Sequence, residues 1–297
     1  MTYKNPLQIK VLLLFLFATL LTQVSCEKFS GSQTVPAYIH IDSITLTTDY
    51  ATQGSASHSI TDAWVYVDDD LVGAFQLPAT FPVLKEGKHK VTIKAGIKKN
   101  GIATTRDAYP FYTPIQKTIN FVPGTTVSLG VLSTTYQANT SFLFMEDFDN
   151  IALKLDTTSR CTVPIGFSTY TSGLTFEGFH SGLIQMDSTD DFFECQTNEL
   201  IDIPSSEVFL EMNFNTNNYL TVSTWIYTST TLYEVPIITL FPTNNKWKKI
   251  YIDLTTTLNA YSNSTKFRLV LGHQKDSDVE HSRIILDNVK IVTRKSS

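Results

Sequence analysis

Short segments in which apolar and polar residues alternate cover the chain from residue 37 to residue 136. Five of them are segments 38–41, 62–67, 71–75, 88–94 and 127–131. Alternation with a period of two residues is typical of a half-buried β-strand. Turn-forming residues separate the segments at intervals of roughly ten residues, as they do in all-β domains. The pattern therefore predicts a β-sandwich over residues 37–136.

Longer alternating segments follow residue 140 and continue to residue 293. Five of them predict strands: 208–214, 220–226, 247–254, 267–271 and 284–291. No run of about ten or more residues has the period of an amphipathic helix. A second β-sandwich is therefore predicted over residues 140–293, and the whole chain is expected to be all-β.

Segment 220–226 has different chemistry on its two predicted faces. Its aliphatic face carries Leu220, Val222 and Ile226, and its aromatic face carries Tyr219, Trp225 and Tyr227. If the aliphatic face packs on the core, the three aromatic residues form an outward platform on which a sugar ring can stack. If the aromatic face packs inward, the same residues belong to the core, where their burial is strongly stabilising. The sequence leaves both arrangements open.

The first 26 residues follow a different pattern. Lys4 and Lys10 precede an apolar run at 11–21, and small residues lead from there to Cys26. A basic start, a short apolar stretch and small residues at the end are typical of an export signal. The run is too short to span a bilayer as a helix, which needs about 20 apolar residues. The chain is therefore expected to be exported.

The end of this signal resembles the lipobox of bacterial lipoproteins. Val24, Ser25 and Cys26 fit its last three places, while Gln23 stands where leucine is usual. Sites of this looser kind resemble those of lipoproteins of the Bacteroidetes. The resemblance implies that Cys26 carries several fatty acyl chains, palmitate among them, which together hold a protein on a membrane more firmly than one chain does.

The implied location is the outer membrane, on its periplasmic or its cell-surface side. Ordinary cleavage near Cys26 and free secretion is the alternative. Residues 27–36 are rich in serine, glycine and proline, which predicts a tether between the anchor and the first sandwich.

Composition and charge exclude some classes of partner. Hydrophobic residues make up 42% of the chain and charged residues 17%, and the formal net charge is −5. Removing Lys4 and Lys10 with the signal lowers the net charge to −7. With no basic block in the sequence, binding to nucleic acid through charge is not expected.

The three cysteines are Cys26, Cys161 and Cys195. If Cys26 is lipidated, the other two remain, and disulfides form in exported proteins. A disulfide between Cys161 and Cys195 is therefore predicted. Two separately buried thiols are the alternative, because sequence spacing does not determine the distance between them.

Part of the first sandwich resembles Ig-like or PEGA-type surface modules. The resemblance covers residues 62–95, where a hairpin is followed by a proline-containing link and a Gly-x-His-x-Val strand. Modules of this kind are spacers or interaction domains. The resemblance implies such a role for residues 37–136.

The second sandwich resembles the galactose-binding-like jelly rolls of carbohydrate-binding modules. The resemblance rests on Glu-Asp-Phe-Asp at 146–149, on Trp-Lys-Lys-Ile-Tyr-Ile-Asp-Leu at 247–254 and on the closing segment 283–291. It implies a structural calcium ion held by Glu146, Asp147 and Asp287, since Ca²⁺ takes six to eight oxygen ligands. Alternatively, Glu146 and Asp147 are turn residues and Asp287 caps a strand end.

The sequence contains none of the common catalytic motifs. A nucleophile elbow, a zinc-protease helix and a phosphate-binding loop are all missing, and the six histidines lack metal-ligand spacing. The predicted function is therefore non-catalytic binding of a carbohydrate or of another surface protein through the jelly roll. A polysaccharide lyase or hydrolase of jelly-roll fold and a purely structural component of a surface assembly are the alternatives.

Overall fold

The computed structural model describes residues 35–261, 263–276 and 279–295. The predicted signal, Cys26 and most of the predicted tether lie outside these residues. The described chain forms 22 strands and two short helices, α1 (Tyr50–Gln53) and α2 (Thr255–Asn259). The prediction of an all-β chain built from sandwiches is confirmed. Among the described residues, no helix is long and apolar enough to cross a membrane.

Ten strands build the first sandwich. They are β1 (Ala37–Ile41), β2 (Ser43–Thr47), β3 (Asp62–Val67), β4 (Asp70–Gln76), β5 (Ala79–Val83), β6 (Gly87–Lys98), β7 (Arg106–Ala108), β8 (Ile115–Phe121), β9 (Thr126–Ser128) and β10 (Val131–Thr135). One sheet has the order β4-β3-β6-β7, with β8 also paired to β6. The other layer contains the sheet β5-β1-β9 and the parallel pair β10-β2.

Twelve strands build the second sandwich. They are β11 (Thr140–Glu146), β12 (Leu155–Thr157), β13 (Gly166–Phe167), β14 (Gly182–Met186), β15 (Phe192–Thr197), β16 (Ile201–Asp202), β17 (Phe209–Thr216), β18 (Leu220–Tyr227), β19 (Leu232–Leu240), β20 (Lys248–Asp253), β21 (Lys266–Gln274) and β22 (Ser282–Arg294). A 3₁₀ turn lies at Tyr170–Ser172.

These twelve strands form two sheets with different surroundings. The junction sheet has the order β13-β14-β22-β17-β20, with β11 paired to β22. The outer sheet has the order β12-β15-β21-β18-β19, with β16 paired to β21. Strands β17 and β18 follow each other in sequence but belong to different sheets, so residues 217–219 cross from one sheet to the other rather than closing a hairpin.

Strand β17 is buried on both faces. Leu210, Met212 and Phe214 pack into the core of the second sandwich, as the alternation predicts. On the opposite face, Phe209 joins the core of the first sandwich, and Asn213 donates from Nδ2 to the Ser57 hydroxyl at 2.9 Å. The first sandwich therefore covers the junction sheet, and the two sandwiches share a continuous apolar contact.

Glu211 lies in the middle of this contact and is fully buried. Its carboxylate accepts hydrogen bonds from the Tyr109 hydroxyl at 2.7 Å and from the Tyr136 hydroxyl at 2.9 and 3.0 Å. Lys249 Nζ lies 3.3 Å from Oε2, and its side chain is only 3% exposed. Burial and the charge of Glu211 raise the pKa of Tyr109, which keeps that hydroxyl protonated as a donor. A buried charge needs such partners, because losing its hydration is costly.

Lys290 makes a second buried polar contact between the sandwiches. Its Nζ donates to the carbonyls of Gln53, the last residue of α1, at 2.6 Å and of Ser55 at 2.7 Å. Gly54 separates these carbonyls and has a φ of +68°, a conformation that glycine adopts without strain. Burial lowers the pKa of Lys290 to about 8. The contact ties the loop after α1 to strand β22.

We expect Glu211→Gln to lower the free energy of unfolding by about 3–5 kcal/mol, because the buried Lys249 ammonium then lacks its counter-charge. Urea unfolding followed by tryptophan fluorescence measures this loss. Glu211→Gln combined with Lys249→Gln should recover part of it. A single variant within about 1 kcal/mol of the wild type would contradict the assignment of Glu211 as the central buried contact.

Candidate functional site

Strand β18 presents its aromatic face outward. Leu220, Val222 and Ile226 are fully buried in the core, so the aliphatic face packs inward. Tyr219 is 42% exposed on the opposite side, and Trp225 and Tyr227 are half-buried there. Of the two arrangements that the sequence left open, the structure has the outward aromatic platform.

Trp225 occupies the middle of this face, between two charged residues. In the register of the sheet, Trp225 lies opposite Glu234 of β19 on one side and Arg268 of β21 on the other. Residues opposite each other in adjacent strands point to the same face. An aromatic ring flanked by a carboxylate and a guanidinium therefore lies on the outer surface of the second sandwich.

Arg160 reaches across this face from the turn that follows β12. The turn is closed by a hydrogen bond from the Cys161 amide to the Thr158 carbonyl at 3.0 Å. The Arg160 guanidinium carbon lies 5.5 Å from the centroid of the Trp225 ring, within the range of a cation–π contact. Two elements distant in sequence thus meet over the tryptophan.

Two carboxylates hold the Arg160 guanidinium in place. Glu194 of β15 accepts from Nε at 2.9 Å and from Nη2 at 2.7 Å, and Glu234 accepts from Nη2 at 3.1 Å. The Thr158 hydroxyl also donates to Glu194, at 2.7 Å. Burial opposes the positive charge, but hydrogen bonds and attraction from both carboxylates outweigh it and raise the pKa of Arg160. The bidentate pair gives this network a defined geometry.

Gln196 adds an uncommitted acceptor beside the network. It lies two residues after Glu194 in β15 and points to the same face. Its Oε1 is buried and has no hydrogen-bond partner among the described residues. A buried polar atom without a partner is costly, and a ligand hydroxyl would satisfy it.

A second aromatic pair lies at the other end of β18. Tyr219 and Phe241 contact each other edge to face, with ring centroids 5.5 Å apart. Phe241 is 68% exposed. Trp225 lies six positions after Tyr219, which corresponds to about 20 Å along a strand. The outer face thus offers aromatic surface at two points along its length.

Chemically, this face can bind a flat, polyhydroxylated ligand. Aromatic rings offer an apolar surface to the C–H side of a sugar ring, while the exposed Glu234 and Arg160, with Gln196 and Arg268, offer acceptors and donors to its hydroxyls. Sequence reasoning found Trp225 but missed these polar residues. The one sequence signal for Glu194 is a charged residue within an apolar segment, at a position that alternates with apolar ones. Nothing local in the sequence indicates that Arg160, 34 residues earlier, contacts it.

The structure does not bring the three predicted calcium ligands into one cluster. Glu146 accepts from the backbone amides of Phe148 at 2.8 Å and Lys154 at 2.6 Å, and so closes its own turn. Asp147 accepts from the Asp149 amide and from the Tyr50 hydroxyl of the first sandwich. Within the described ranges, no group of three or more acidic, histidine or cysteine side chains is arranged to hold a metal. These residues thus do not fit one calcium site in the structure, and calcium binding stays a prediction.

Asp287 is fully buried in the junction sheet. Among the described residues, it shares no hydrogen-bond partner with Glu146 or Asp147. Its carboxyl accepts from the Ser181 hydroxyl at 2.6 Å and from the Asn288 amide at 2.8 Å. Burial raises the pKa of Asp287 to about 7, although these two hydrogen bonds act in the opposite direction. Near neutral pH the folded chain therefore holds a proton on Asp287 that an exposed aspartate would have lost.

The predicted disulfide is not present, because Cys161 and Cys195 are both free thiols. Cys161 Sγ donates to the Val163 carbonyl at 2.9 Å. Cys195 points from β15 into the core of the second sandwich and is fully buried. The alternative of two separate thiols describes the structure.

No protein-family model matches the chain. No curated protein matches it either. Among solved structures, it is similar to the C-terminal family 22 carbohydrate-binding module of Clostridium thermocellum Xyn10B, with 13% identity, a TM-score of 0.36, and coverage of 54% of this chain and 99% of that one. It is also similar to a mutant of a family 29 carbohydrate-binding module, with 11% identity, a TM-score of 0.34, and coverage of 54% and 94% respectively. Neither likeness assigns a ligand to this chain.

The raised pKa of Asp287 makes stability depend on pH. Between about pH 4 and pH 7 the folded state binds a proton that the unfolded state releases, so stability falls as pH rises through this window. A shift from 3.8 to about 7 corresponds to about 4 kcal/mol. We expect Asp287→Asn to flatten the decrease between about pH 4 and pH 7, as measured by urea unfolding at each pH.

The exposed Asp202→Asn serves as the matched control and should follow the wild-type profile. A pH profile of Asp287→Asn that is parallel to the wild type would contradict the assignment.

Proposed function

We propose that this chain is a non-catalytic surface lipoprotein that binds a carbohydrate across the outer sheet of its second sandwich. The observation that carries the proposal is the outward-facing Trp225, framed by Arg160, Glu194 and Glu234. The first sandwich acts as a spacer that holds the binding module away from the membrane.

The polar groups around Trp225 suit a neutral or weakly charged sugar. The positive charges of Arg160 and Arg268 balance the negative charges of Glu194 and Glu234, so the cluster has little net charge to offer an ion. The groups of the cluster that can still form hydrogen bonds are carboxylate lone pairs, the Gln196 amide and the edges of the guanidinium. These donors and acceptors match sugar hydroxyls. Recognition through an aromatic surface and a few oriented polar groups is typical of small-molecule sites.

The same contacts favour binding over cleavage. A glycosidase needs two carboxylates facing each other across the bond, one of them able to give up a proton. Here Glu194 and Glu234 both accept hydrogen bonds from the same guanidinium, so they lie on one cation and not on opposite sides of a scissile bond. We therefore propose binding, with a jelly-roll lyase or hydrolase as the alternative.

Replacing Trp225 with alanine should weaken glycan binding about tenfold or more, because it removes the stacking surface. The ligand is first found on a glycan array with the chain lacking residues 1–26, and affinities are then measured by calorimetry. Arg160→Lys should also weaken binding, since lysine cannot make the bidentate contact with Glu194.

Tyr170→Ala is the matched control, because Tyr170 is an aromatic residue that is 77% exposed on a turn outside this face. It should bind as the wild type does. An array without any hit, or equal affinity of Trp225→Ala and the control, would refute the carbohydrate proposal. Another surface protein would then be the favoured ligand.

We also propose that acyl chains on Cys26 attach the chain to the outer membrane. The support is the signal-like pattern of residues 1–26 and the partial lipobox before Cys26. Two or more acyl chains give stable attachment where one does not.

Cys26→Ala should release the protein from membranes into the soluble fraction, because the attachment site for lipid is lost. Cell fractionation with immunoblotting measures the distribution. Ser25→Ala keeps a small residue before the cysteine and should leave the protein on the membrane. If Cys26→Ala remained membrane-bound, the lipid anchor would be ruled out.

A further inference from the structure

A cleft lies beside the second sandwich, away from the platform around Trp225. It opens where the edge strands β19 and β20 of the two sheets meet the 98–102 turn of the first sandwich. Its volume is about 630 Å³, within the range of about 300–1,000 Å³ typical of small-molecule sites. We call it the edge cleft. Both sandwiches contribute to its walls.

The charge of the edge cleft differs from that of the chain as a whole. Its lining includes Lys98, Lys248 and Lys249 and contains no aspartate or glutamate among the described residues, although the chain has a net charge of −5. Lys249 is paired with the buried Glu211. Lys98 and Lys248 form no ion pair with any described residue, so two positive charges remain available to a ligand.

The floor and rim of the cleft are apolar and aromatic. Among the lining residues, Phe214 and Ile250 are buried and form the apolar base, whereas Trp247 is half-buried and Phe241 is 68% exposed, so these two form the rim. Trp247 is held edge to face against Phe176, with ring centroids 5.2 Å apart. An aromatic rim above an apolar base suits the C–H face of a sugar ring.

The wall from the first sandwich is held rigidly against β20. The Asn100 amide donates to the Tyr251 carbonyl at 2.8 Å, and the Asp253 amide donates to Asn100 Oδ1 at 2.8 Å. Gly101 has a φ of +68°, and a Cβ there would lie 3.1 Å from Ile250 Cδ1. The positive φ and this close approach to Ile250 both favour glycine at this position of the turn. A preformed wall lowers the entropic cost of binding.

His58 completes the lining as a neutral group. Burial and the nearby Lys249 lower its pKa, so at neutral pH the imidazole is uncharged and can donate one hydrogen bond. Ser59 and Thr239 add hydroxyls. The cleft thus combines two unpaired ammonium groups, neutral hydrogen-bonding groups and an aromatic rim.

We propose that the edge cleft binds an anionic sugar, with its carboxylate or sulfate on Lys98 and Lys248 and its ring against Trp247 and Phe241. Its volume suits one or two sugar rings. A neutral sugar would leave both ammonium groups without a partner, whereas a small inorganic anion would leave the aromatic rim unused. This second site is independent of the platform around Trp225 and does not require it.

The test is calorimetry on the chain lacking residues 1–26, with digalacturonate as the probe in a buffer of low ionic strength. Lys98→Gln combined with Lys248→Gln should weaken binding about tenfold or more, because charge-assisted contacts are lost. Lys88→Gln combined with Lys117→Gln is the matched control, since both lysines are exposed on the first sandwich outside the cleft. The control should bind as the wild type does.

Further binding measurements identify the anion and distinguish binding in the edge cleft from binding on the outer face. The methyl ester of digalacturonate should bind at least about tenfold more weakly than the acid. A sulfated disaccharide that binds in place of the acid would assign the site to sulfate. Trp225→Ala should retain full affinity for the anionic probe, so a failure of the outer-face proposal leaves this one intact. Equal binding of acid and ester, equal affinity of the cleft and control variants, or no binding of either anion would overturn the proposal.

Discussion

The buried carboxylate of Glu211 and the strand that carries it determine how the two sandwiches fit together. Glu211 is isolated from water by Tyr109, Tyr136 and Lys249, two of which come from the other sandwich. Such a charge is tolerated only when its partners are in place, because its desolvation in their absence is costly. The contact therefore specifies one relative placement of the sandwiches, and the apolar contacts of Phe209 with Tyr109 and Phe111 reinforce it.

This placement decides which surfaces remain available for binding. The first sandwich covers the junction sheet, so β17 has no exposed face. The outer sheet keeps one solvent-facing side, where Trp225 is half-buried and the Arg160 and Glu234 side chains are exposed. The same placement brings the 98–102 turn against β20, and this creates the edge cleft. Both candidate sites thus depend on the packing of the two sandwiches. The outer face around Trp225 is left uncovered by this packing, and the edge cleft is formed by it.

The two proposed sites differ in their electrostatics, and this difference favours different ligands. Around Trp225, the positive charges of Arg160 and Arg268 are balanced by Glu194 and Glu234, so uncharged hydroxyl groups are the partners that remain suitable. In the edge cleft, Lys98 and Lys248 have no carboxylate partner among the described lining residues. An unpaired charge in a partly enclosed site attracts an opposite charge more strongly than one in open solvent. A surface glycan with both neutral and acidic sugars would satisfy both sites.

Alternation of apolar and polar residues was enough to predict the main strands, the two sandwiches and the two faces of β18. It was enough because successive side chains of a strand point to opposite faces, and this period of two residues is visible in each segment independently of the rest of the chain. It could not show that the polar face of β17 is buried, since that depends on a second sandwich covering it. It could not show that Arg160 lies over Trp225 or that Cys161 and Cys195 remain free. The Arg160 contacts join residues 34 or more positions apart, and the two cysteines are also 34 positions apart, so only the tertiary structure decided these features, by pairing strands of the outer sheet that are distant in sequence.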